Sequence, residues 1–405
     1  MKNNEQGVSL TGGFWISFLY EFMTTRKRIL IYDDLLIGHH LEYIHHLHKG
    51  ACEYNQIDFI FAVPEKFHDL KNKLKWKNSD NIKFHFLQNS PDITKGNLLS
   101  KSIRRSKTVK KIALQYSVNE VLFITIMGFL PAITFVMPKK IKISGIIYLI
   151  YLYRWKYSSL TLKIVDSLKY LLLSKRTNFK SVFILNDKSA PVYLNRKFNT
   201  SKFTYLPDPY QPIEESNLQN IRKKYEVPEE NTVYLHFGGL SSWKGTLKIL
   251  DALKILNEEE SKDKSFIFAG KINGNIRDEF YQKYYHIKDK IQVLCFDEFC
   301  DFSFLGSLCL SSDFILLPYS NTAQSSGIIG YGAQFNIPVV VPNSGLLGKL
   351  VRKYNLGYSI DIGSDKKIAD FIRNNSTDNY YKNKGSNYMV ERNPSHFIQH
   401  IFRRL

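Results

Sequence analysis

The sequence predicts an α/β fold with two domains whose parallel sheets face a central cleft. The chain has 405 residues, which is enough for two domains that each bury a core of their own. Short apolar runs alternate with stretches of helical spacing, a pattern typical of βαβ units in a parallel sheet. A polar, charged stretch at residues 210–230 separates the two halves and is predicted to be the linker between them.

The composition is that of a folded chain with a large excess of positive charge. Hydrophobic residues make up 44% of the chain, and the formal net charge is +19. Such a charge favours an anionic environment, which a membrane surface, a phosphorylated ligand or a nucleic acid would each supply. The four cysteines are scattered and form no CxxC pair. They indicate reduced thiols in the cytosol rather than a disulfide or zinc framework.

Residues 1–25 are interpreted as an N-terminal extension. The apolar stretch GFWISFLYEFM is short, follows a single lysine and lacks a small-residue cleavage site, which argues against a secretory signal. The first 22 residues are therefore expected to be an extension or a mis-assigned start, either disordered or lying on a membrane. The predicted order is then a first domain at 26–209, the linker at 210–230, a second domain at 231–385 and a C-terminal amphipathic helix at 386–405.

Six apolar runs of the first domain are predicted to be strands. They are Arg28–Asp33, Phe59–Val63, Lys83–Leu87, Val121–Thr125, Ile141–Tyr153 and Val182–Leu185. The segment Val121–Met137 is too short to span a membrane and is interrupted by Gly128 and Pro131, so a strand followed by a helix fits it better.

Two segments of the first domain raise the question of a membrane surface. Lys95–Lys111 is very basic, and a solvated helix face is favoured over attraction to anionic lipid. Nucleic-acid binding is disfavoured, because no aromatic residues alternate with these charges and no known binding module accompanies them. Leu160–Leu173 follows the aromatic-rich run YLIYLYRWKY and has the spacing of an amphipathic helix. Packing against the core is favoured for it over contact with a membrane.

The second domain centres on the stretch from Asp313 to Pro342. It reads as a buried strand to Tyr319, a polar loop, an apolar helix Ile328–Phe335 and a second buried strand. A loop between the carboxyl end of a strand and the start of a helix favours an anion. Ser325 and Ser326 would add hydroxyl donors there, and Gly327 would let a ligand approach the backbone. An ordinary serine-capped connection is the alternative.

A glycine-containing loop follows the predicted strand Thr232–Phe237. Its sequence is GGLSSWKG, in which Gly238 and Gly239 permit close backbone approach and Lys244 offers a cation beside a helix start. These features suit a diphosphate, although the loop matches neither GxxxxGK[ST] nor GxGxxG. Because ligands of tandem α/β domains bind between the carboxyl ends of the two sheets, this loop, the Ser325 loop and the loop Asp34–His40 are predicted to face one cleft.

From about Arg28 onward the chain resembles the GT-B glycosyltransferases, and within them the group similar to family 4 (group 1). The resemblance is strongest from Thr232 to Ile360. It is carried by the segments VYLHFGGLSSWKGTLKILDAL, FIFAGK, IQVLCFDEF, DFILLPY and NIPVVVPNSGLLGKLV, and by IYDDLLIGHHLEYIHHL in the first domain.

The resemblance implies two Rossmann-like domains, with a nucleotide-sugar bound mainly by the second and the C-terminal helix packing back on the first. Lys244 matches the lysine of the family's donor-phosphate motif, and Phe296 lies where the family holds the nucleotide base. Gly38 lies where the family's backbone approaches the donor phosphate. The resemblance thus implies a donor site that includes Gly38, Gly238, Gly239, Lys244, Phe296, Ser325, Ser326 and Gly327.

The chain departs from the family at three positions. Gly239 stands where an arginine is common, and Ala323 and Tyr331 stand where two glutamates are common. The chain instead resembles a subgroup with a Q-S-G-type donor loop, in which hydroxyls and amides would bind the diphosphate. The departures leave the implied fold intact and weaken what the resemblance implies about the sugar and about retention of stereochemistry.

Five histidines lie between His39 and His48. No HExxH spacing is present and the last three do not share one helix face, so a metal site is disfavoured and none is predicted. The alternatives are surface or packing roles, and a catalytic role of His39 or His40 at the cleft. There an imidazole would hydrogen-bond the sugar or the acceptor, or act as a base near neutral pH.

The resemblance implies a hexosyltransferase-type enzyme that moves a sugar from a UDP- or GDP-linked donor to a glycan or lipid-linked acceptor in surface polysaccharide synthesis. No cofactor is expected, since the nucleotide-sugar is a substrate, and no nucleic-acid partner is expected. The predicted location is cytoplasmic and peripheral, on the anionic inner face of a membrane. A non-catalytic basic protein that binds membrane or nucleic acid, and a GT-B epimerase, are the alternatives.

Overall fold

The computed structural model describes residues 26–35, 40–69, 76–88, 97–148, 150–155, 158–214, 216, 218–321, 325–375 and 385–405. These residues form two sheets in which every paired strand is parallel to its neighbour. The predicted α/β fold with two parallel sheets is thereby confirmed. The predicted N-terminal extension lies outside the described residues.

The first sheet has the strand order β3-β2-β1-β4-β5-β6-β7. Its strands are β1 (Lys27–Tyr32), β2 (Ile57–Pro64), β3 (Ile82–Leu87), β4 (Glu120–Phe123), β5 (Lys142–Ile147), β6 (Phe179–Leu185) and β7 (Phe203–Leu206). The strand predicted at Ile141–Tyr153 is therefore too long. Its second half turns into a short helix at Tyr151–Arg154, and the periodicity of a short aromatic run cannot distinguish the two structures.

Six helices connect these strands. They are α1 (His40–Ala51), α2 (Leu98–Gln115), α3 (Ile133–Val136), α4 (Tyr151–Arg154), α5 (Leu160–Lys175) and α6 (Ser189–Phe198). A 3-10 turn at Met127–Phe129 precedes α3. Alternate residues of β1 point to opposite sides of the sheet. Ile29 shares a core with Leu47 of α1, whereas Leu30 shares one with Val109 of α2 and Tyr170 of α5.

The second sheet has the order β10-β9-β8-β11-β12-β13. Its strands are β8 (Thr232–Phe237), β9 (Lys264–Ala269), β10 (Gln292–Phe296), β11 (Phe314–Leu316), β12 (Val339–Pro342) and β13 (Gly357–Ile360). The predicted strand Asp313–Tyr319 is thus shorter than expected. It ends before Pro318, which has no N–H to donate to a ladder.

The helices after β7 lie around the second sheet and at the end of the chain. They are α7 (Ile221–Lys224), α8 (Thr246–Ile255), α9 (Glu258–Ser261), α10 (Arg277–Ile287), α11 (Phe302–Leu310), α12 (Ile328–Gln334), α13 (Gly345–Tyr354), α14 (Asp365–Asn374), α15 (Gly385–Glu391) and α16 (Pro394–Phe402). Two 3-10 turns, Ser242–Lys244 and Gly274–Ile276, precede α8 and α10.

The chain passes between the two domains twice. The outgoing segment follows β7, and the returning segment joins α15 to α16, where the Tyr210 N–H donates to the Arg392 carbonyl at 3.3 Å. On its return, α16 places Phe397 and Ile401 in the core beneath β1. The Phe402 ring stacks on Phe59 of β2 with ring centres 5.1 Å apart. The last helix therefore packs on the first domain.

The amphipathic helix α5 lies with its apolar side outward. Leu160, Ile164 and Leu168 are 74%, 52% and 53% exposed, whereas Asp166 is buried. The interpretation that the apolar side of this helix packs against the core is therefore wrong. Helical spacing shows that a helix has two sides of different polarity, but it does not show which side the protein covers.

Candidate active site

A cavity of about 540 Å³ lies between the two domains, at the carboxyl ends of both sheets. This volume lies within the range of pockets that hold small organic ligands. The first domain lines it with His40, Thr125, Met127, Tyr148, Leu185 and Asp208. The second domain lines it with Gly239, Leu240, Ser241, Trp243, Lys244, Lys271, Asn273, Tyr319, Ser325 and Ser326. The cavity thus lies where tandem α/β domains are expected to bind a ligand.

His40 is held at the cavity wall by a buried aspartate. Asp33 follows β1 directly, and its carboxylate oxygens lie 2.8 and 2.9 Å from Nδ1 of His40. The His40 ring also stacks on Tyr148, with ring centres 5.7 Å apart. Burial raises the pKa of Asp33 above its usual value, against the lowering effect of the hydrogen bond from His40. Because Asp33 engages Nδ1, Nε2 is the imidazole nitrogen left to meet a ligand.

Asp208 lies at the cavity where the first sheet ends. It comes two residues after β7 and is 2% exposed. Its carboxylate accepts hydrogen bonds from the Tyr43 hydroxyl and, at 3.1 Å, from the Asn186 amide. It also accepts from the Ser325 hydroxyl at 3.3 Å. Asp208 therefore joins the first domain to the Ser325 loop of the second.

Lys244 supplies a desolvated cation to the other wall. It ends the 3-10 turn before α8, and its ammonium lies 5.5 Å from the ring centre of Trp243 and 5.7 Å from that of Tyr319. Burial lowers the pKa of Lys244 to about 8, although the charge of Glu42 acts to raise it. Among the residues that the structure describes, Glu42 is the carboxylate whose charge acts on this ammonium. An anionic ligand would offset the cost of burying the charge.

The first two glycines of the loop GGLSSWKG have different roles. Gly238 has a φ of +93°, and a Cβ on it would lie 2.8 Å from Nζ of Lys244, so this glycine makes room for the lysine. Gly239, by contrast, lines the cavity, and a Cβ on it would meet no atom within 4 Å. Only Gly239 therefore presents open backbone to a ligand.

Hydrogen bonds connect the Ser325 loop to the loop GGLSSWKG. The Ser320 N–H donates to the Trp243 carbonyl at 2.9 Å, which joins the chain after β11 to the 3-10 turn. The Ser326 hydroxyl lies 3.2 Å from the hydroxyl of Tyr319. Gly327 begins the next helix with a φ of −61°, an ordinary helical value. The two loops predicted to bind one ligand are therefore neighbours.

The structure brings most of the predicted site residues together. His40, Gly239, Lys244, Ser325 and Ser326 line the one cavity, with Gly238 and Gly327 beside it. Phe296 is not among the described residues that line it. The Phe296 ring packs instead against Tyr225 and Phe304, in each case with ring centres 5.1 Å apart. Gly38, His39 and Ala323 lie outside the described residues.

Several residues of the site were not predicted from the sequence. The sequence does contain a signal for Asp33 and Asp208, since each is an acid placed just after the end of a predicted or observed strand. Tyr148 follows β5 in the same way. Lys271, after β9, is placed by the backbone hydrogen bond of 2.9 Å between its carbonyl and the Leu240 N–H. That pairing joins two loops distant in sequence, so no local pattern reveals it.

The remaining histidines of α1 pack inside the first domain. His46 is buried near Phe397, and the His48 ring lies 4.8 Å from that of Trp76. Burial lowers the pKa of His46 to about 3. Across the described ranges, no group of three or more His, Cys, Asp or Glu side chains is placed to hold a metal ion.

The match to a known family covers the second half of the chain. Residues 217–393 match the family model described as glycosyl transferases group 1. No curated protein matches the chain.

The fold likeness to solved structures covers nearly the whole chain. A structure of Anabaena HepE in complex with UDP-glucose is 16% identical, with a TM-score of 0.66 over 93% of this chain and 98% of that one. WaaG, a glycosyltransferase involved in lipopolysaccharide biosynthesis, is 12% identical, with a TM-score of 0.63 over 92% and 96%. Sucrose-phosphate synthase from Thermosynechococcus elongatus is 12% identical, with a TM-score of 0.66 over 93% and 96%.

At such identities the likeness establishes the fold, and the family match is confined to the second half of the chain. The chain has the GT-B fold, and its residues 217–393 match the family model described as glycosyl transferases group 1.

Proposed function

We propose that this protein transfers a hexosyl group from a UDP- or GDP-linked sugar to a glycan acceptor. The observation that carries the proposal is Lys244, a desolvated ammonium at the wall of a ligand-sized cavity. The diphosphate of a nucleotide-sugar would supply the missing negative charge, and Gly239 leaves the backbone open for its approach. HepE, of the same fold, binds UDP-glucose in its solved structure, which supports a donor of this class.

His40 is proposed to act on the reacting hydroxyl. It lines the same cavity from the opposite domain, and Asp33 holds its ring by Nδ1. With Nδ1–H donated to Asp33, Nε2 would accept the proton of an acceptor hydroxyl as the bond to the sugar forms. Asp33 is then a positioning residue, which fixes the ring and favours the tautomer that the reaction needs. His39 remains a second candidate for contact with the sugar or acceptor.

A lipid-linked acceptor and a role in surface polysaccharide synthesis complete the proposal. WaaG, a protein of the same fold, is a glycosyltransferase involved in lipopolysaccharide biosynthesis, which supports an acceptor of this class. The positive charge of the chain suits an acceptor presented at an anionic membrane, on its cytoplasmic face. Phe296 is kept as the proposed neighbour of the nucleotide base, at the end of β10.

Donor titration on a matched pair of lysine variants tests the proposal. Lys244→Ala removes a charge-assisted contact worth roughly 1.5–3 kcal/mol, so donor affinity is expected to fall about tenfold to a hundredfold. Lys254→Ala is the control, because Lys254 is exposed on α8 and lies outside the cavity lining. A panel of UDP- and GDP-sugars identifies the donor. At about 100 times its dissociation constant, the donor should raise the free energy of unfolding of the wild type by about 2.7 kcal/mol.

The alternatives predict other outcomes. A non-catalytic protein that binds nucleic acid would bind oligonucleotides in competition with the donor, and would neither hydrolyse nor transfer the sugar. An epimerase would return an isomerised nucleotide-sugar without any acceptor. If Lys244→Ala and Lys254→Ala both bind every nucleotide-sugar as the wild type does, the donor site lies elsewhere and the proposal fails.

A further inference from the structure

Helix α5 exposes apolar side chains along its whole length. Six of them are between 40% and 74% exposed: Leu160, Leu162, Ile164, Val165, Leu168 and Leu171. The side turned to the protein contains Asp166, Tyr170, Leu173 and Ser174. Scattered exposed apolar residues are ordinary in soluble proteins, but a helix that buries an aspartate and exposes most of its leucines has an unpartnered face.

Four of the exposed residues form one continuous stripe. Leu160, Ile164, Leu168 and Leu171 follow one another at intervals of four, four and three residues, so they lie on one side of the helix. Within the described ranges, no helix is both long enough and apolar enough to cross a membrane. A stripe of this kind suits contact along the side of the helix rather than insertion end-on.

Aromatic rings and cations border the stripe. Phe135 of α3 is 64% exposed, and the Arg176 guanidinium at the end of α5 lies 4.3 Å from its ring centre. Trp155 lies on the other border, with the ammonium groups of Lys163 and Lys197 at 5.6 and 5.5 Å from its ring. We name the stripe together with Phe135 and Trp155 the apolar face.

The charges around the apolar face are positive. Asp166 is the one acidic residue in the sequence of α5, and it is 3% exposed. Helix α2, which packs on the same core, also carries exposed Arg104, Lys107 and Lys111. Not every cation of that segment is available, because Arg105 forms a bidentate ion pair with Asp34 at 2.5 and 2.7 Å.

We propose that the apolar face is the surface by which this protein docks on an anionic lipid bilayer. Apolar side chains would enter the boundary between headgroups and acyl chains, Trp155 would lie at headgroup depth, and the bordering lysines and arginines would contact lipid phosphates. A second copy of the chain fits the face less well. A two-fold interface places the same patch on both subunits, so the positive borders would oppose one another.

The inference deepens the proposed function, since it rests on the same proposal of a lipid-linked acceptor. Docking through α5 would hold the first domain against the membrane that carries such an acceptor. The two claims are separable by experiment, because vesicle binding requires neither donor nor turnover.

The test is flotation of the full chain with vesicles of phosphatidylethanolamine and phosphatidylglycerol. The variant Ile164→Glu/Leu168→Glu places two charges within the stripe and is expected to reduce vesicle binding at least tenfold. The control Leu310→Glu/Val390→Glu makes the same change in charge at two exposed apolar residues of the second domain. It should bind within about twofold of the wild type, and both variants should keep the wild-type donor affinity.

A second measurement uses the wild type alone and so does not depend on the folding of a variant. Amide hydrogen exchange of residues 160–175 is expected to slow when anionic vesicles are added, and to change little with phosphatidylcholine vesicles. Equal flotation of the two double variants, or unchanged exchange in α5 with anionic vesicles, would overturn the proposal. It would also be overturned by a lipid-free dimer that Ile164→Glu/Leu168→Glu dissociates, since that outcome assigns the face to a second copy.

Discussion

The hydroxyl of Ser325 lies 3.3 Å from a carboxylate oxygen of Asp208, and this hydrogen bond crosses between the domains at the cavity. Asp208 is buried and also accepts from Tyr43 and Asn186 of its own domain. The two partners are therefore expected to respond differently to substitution. Loss of Asp208 leaves buried donors of the first domain without their acceptor, whereas loss of Ser325 removes only the link between domains.

The first prediction compares Asp208→Ala with Ser325→Ala. Asp208→Ala is expected to lower the free energy of unfolding by about 1–3 kcal/mol, the usual cost of leaving a buried polar group without a hydrogen-bond partner. Ser325→Ala should lower it by less than about 1 kcal/mol and should weaken donor binding about two- to tenfold, because its hydroxyl can turn to a phosphate. Denaturant unfolding and donor titration measure the two effects. Equal destabilisation by both variants would contradict this account.

The second prediction concerns pH. The pKa of Lys244 is about 8 in the free protein, so its charge is lost as the pH rises through 8. Donor affinity should therefore be flat near neutral pH and fall above pH 8, approaching tenfold for each further pH unit. The same lowered pKa means that the free energy of unfolding should increase as the pH rises from about 8 toward the pKa of Lys244 in the unfolded chain. Over that range the folded state no longer buries a charge.

Calorimetry in buffers of different ionisation enthalpy checks this prediction. The diphosphate of a nucleotide-sugar is fully ionised at neutral pH, so proton uptake on binding near pH 8.5 would report Lys244 taking up a proton. Lys244→Arg, which keeps its charge throughout this range, should remove the proton uptake and flatten the profile. A wild-type affinity that stays constant up to pH 9.5 would count against Lys244 as a donor contact.

The third prediction uses Gly239 as a steric probe. A methyl group there meets no protein atom within 4 Å and needs no change of backbone conformation, so Gly239→Ala should fold and melt as the wild type does. The methyl group would project at the cavity wall and should weaken donor binding about tenfold if phosphates approach this backbone. Gly274→Ala is the control, since a Cβ there is equally free. Identical donor affinities of the two variants would show that no ligand comes close to Gly239.

The fourth prediction concerns Gly327. Its helical φ of −61° permits any residue, so the backbone of Gly327→Val is not strained. The residue is buried, and the added side chain should block the approach of the diphosphate to the Ser325 loop. Donor affinity is expected to fall at least tenfold, whereas binding of the phosphate-free nucleoside should stay weak and unchanged. A titration of both ligands beside thermal melts distinguishes this effect from loss of folding.

The fifth prediction separates chemistry from donor binding. His40→Asn should lower kcat by about a hundredfold to ten-thousandfold, the range of general acid–base contributions, while the dissociation constant of the donor stays the same. Asp33→Asn should lower kcat by a smaller factor, because the imidazole remains in place with less favourable orientation. Steady-state kinetics and donor titration are measured on both variants. A kcat of His40→Asn equal to that of the wild type would remove His40 from the reaction.

The sequence was sufficient for the fold and for the parts of the site with local signals. The glycine loop, Lys244 and Ser325 were predicted because loops that bind phosphate have characteristic residues within a few positions. Lys271 was missed because its place depends on pairing between segments far apart in the chain, whereas Asp208 was missed although an acid just after a strand is a local signal. Phe296 shows the converse limit: it ends β10, but the packing of its ring depends on Tyr225 and Phe304.

Helix α5 shows a limit of a different kind. Its periodicity was recognised, yet the same periodicity describes a helix that buries its apolar side and one that exposes it. Only the buried positions of Asp166 and Tyr170 distinguish the two.

The return of α16 to the first domain has a consequence for synthesis of the protein. Phe397, Ile401 and Phe402 complete a core whose other walls are made from β1 and β2, more than three hundred residues earlier. The second domain lies wholly between these parts, so a nascent chain can close it while the first sheet still exposes Phe59 to solvent. The N-terminal domain, although translated first, is then expected to finish folding last, with that side of its sheet open to aggregation until α16 has been synthesised.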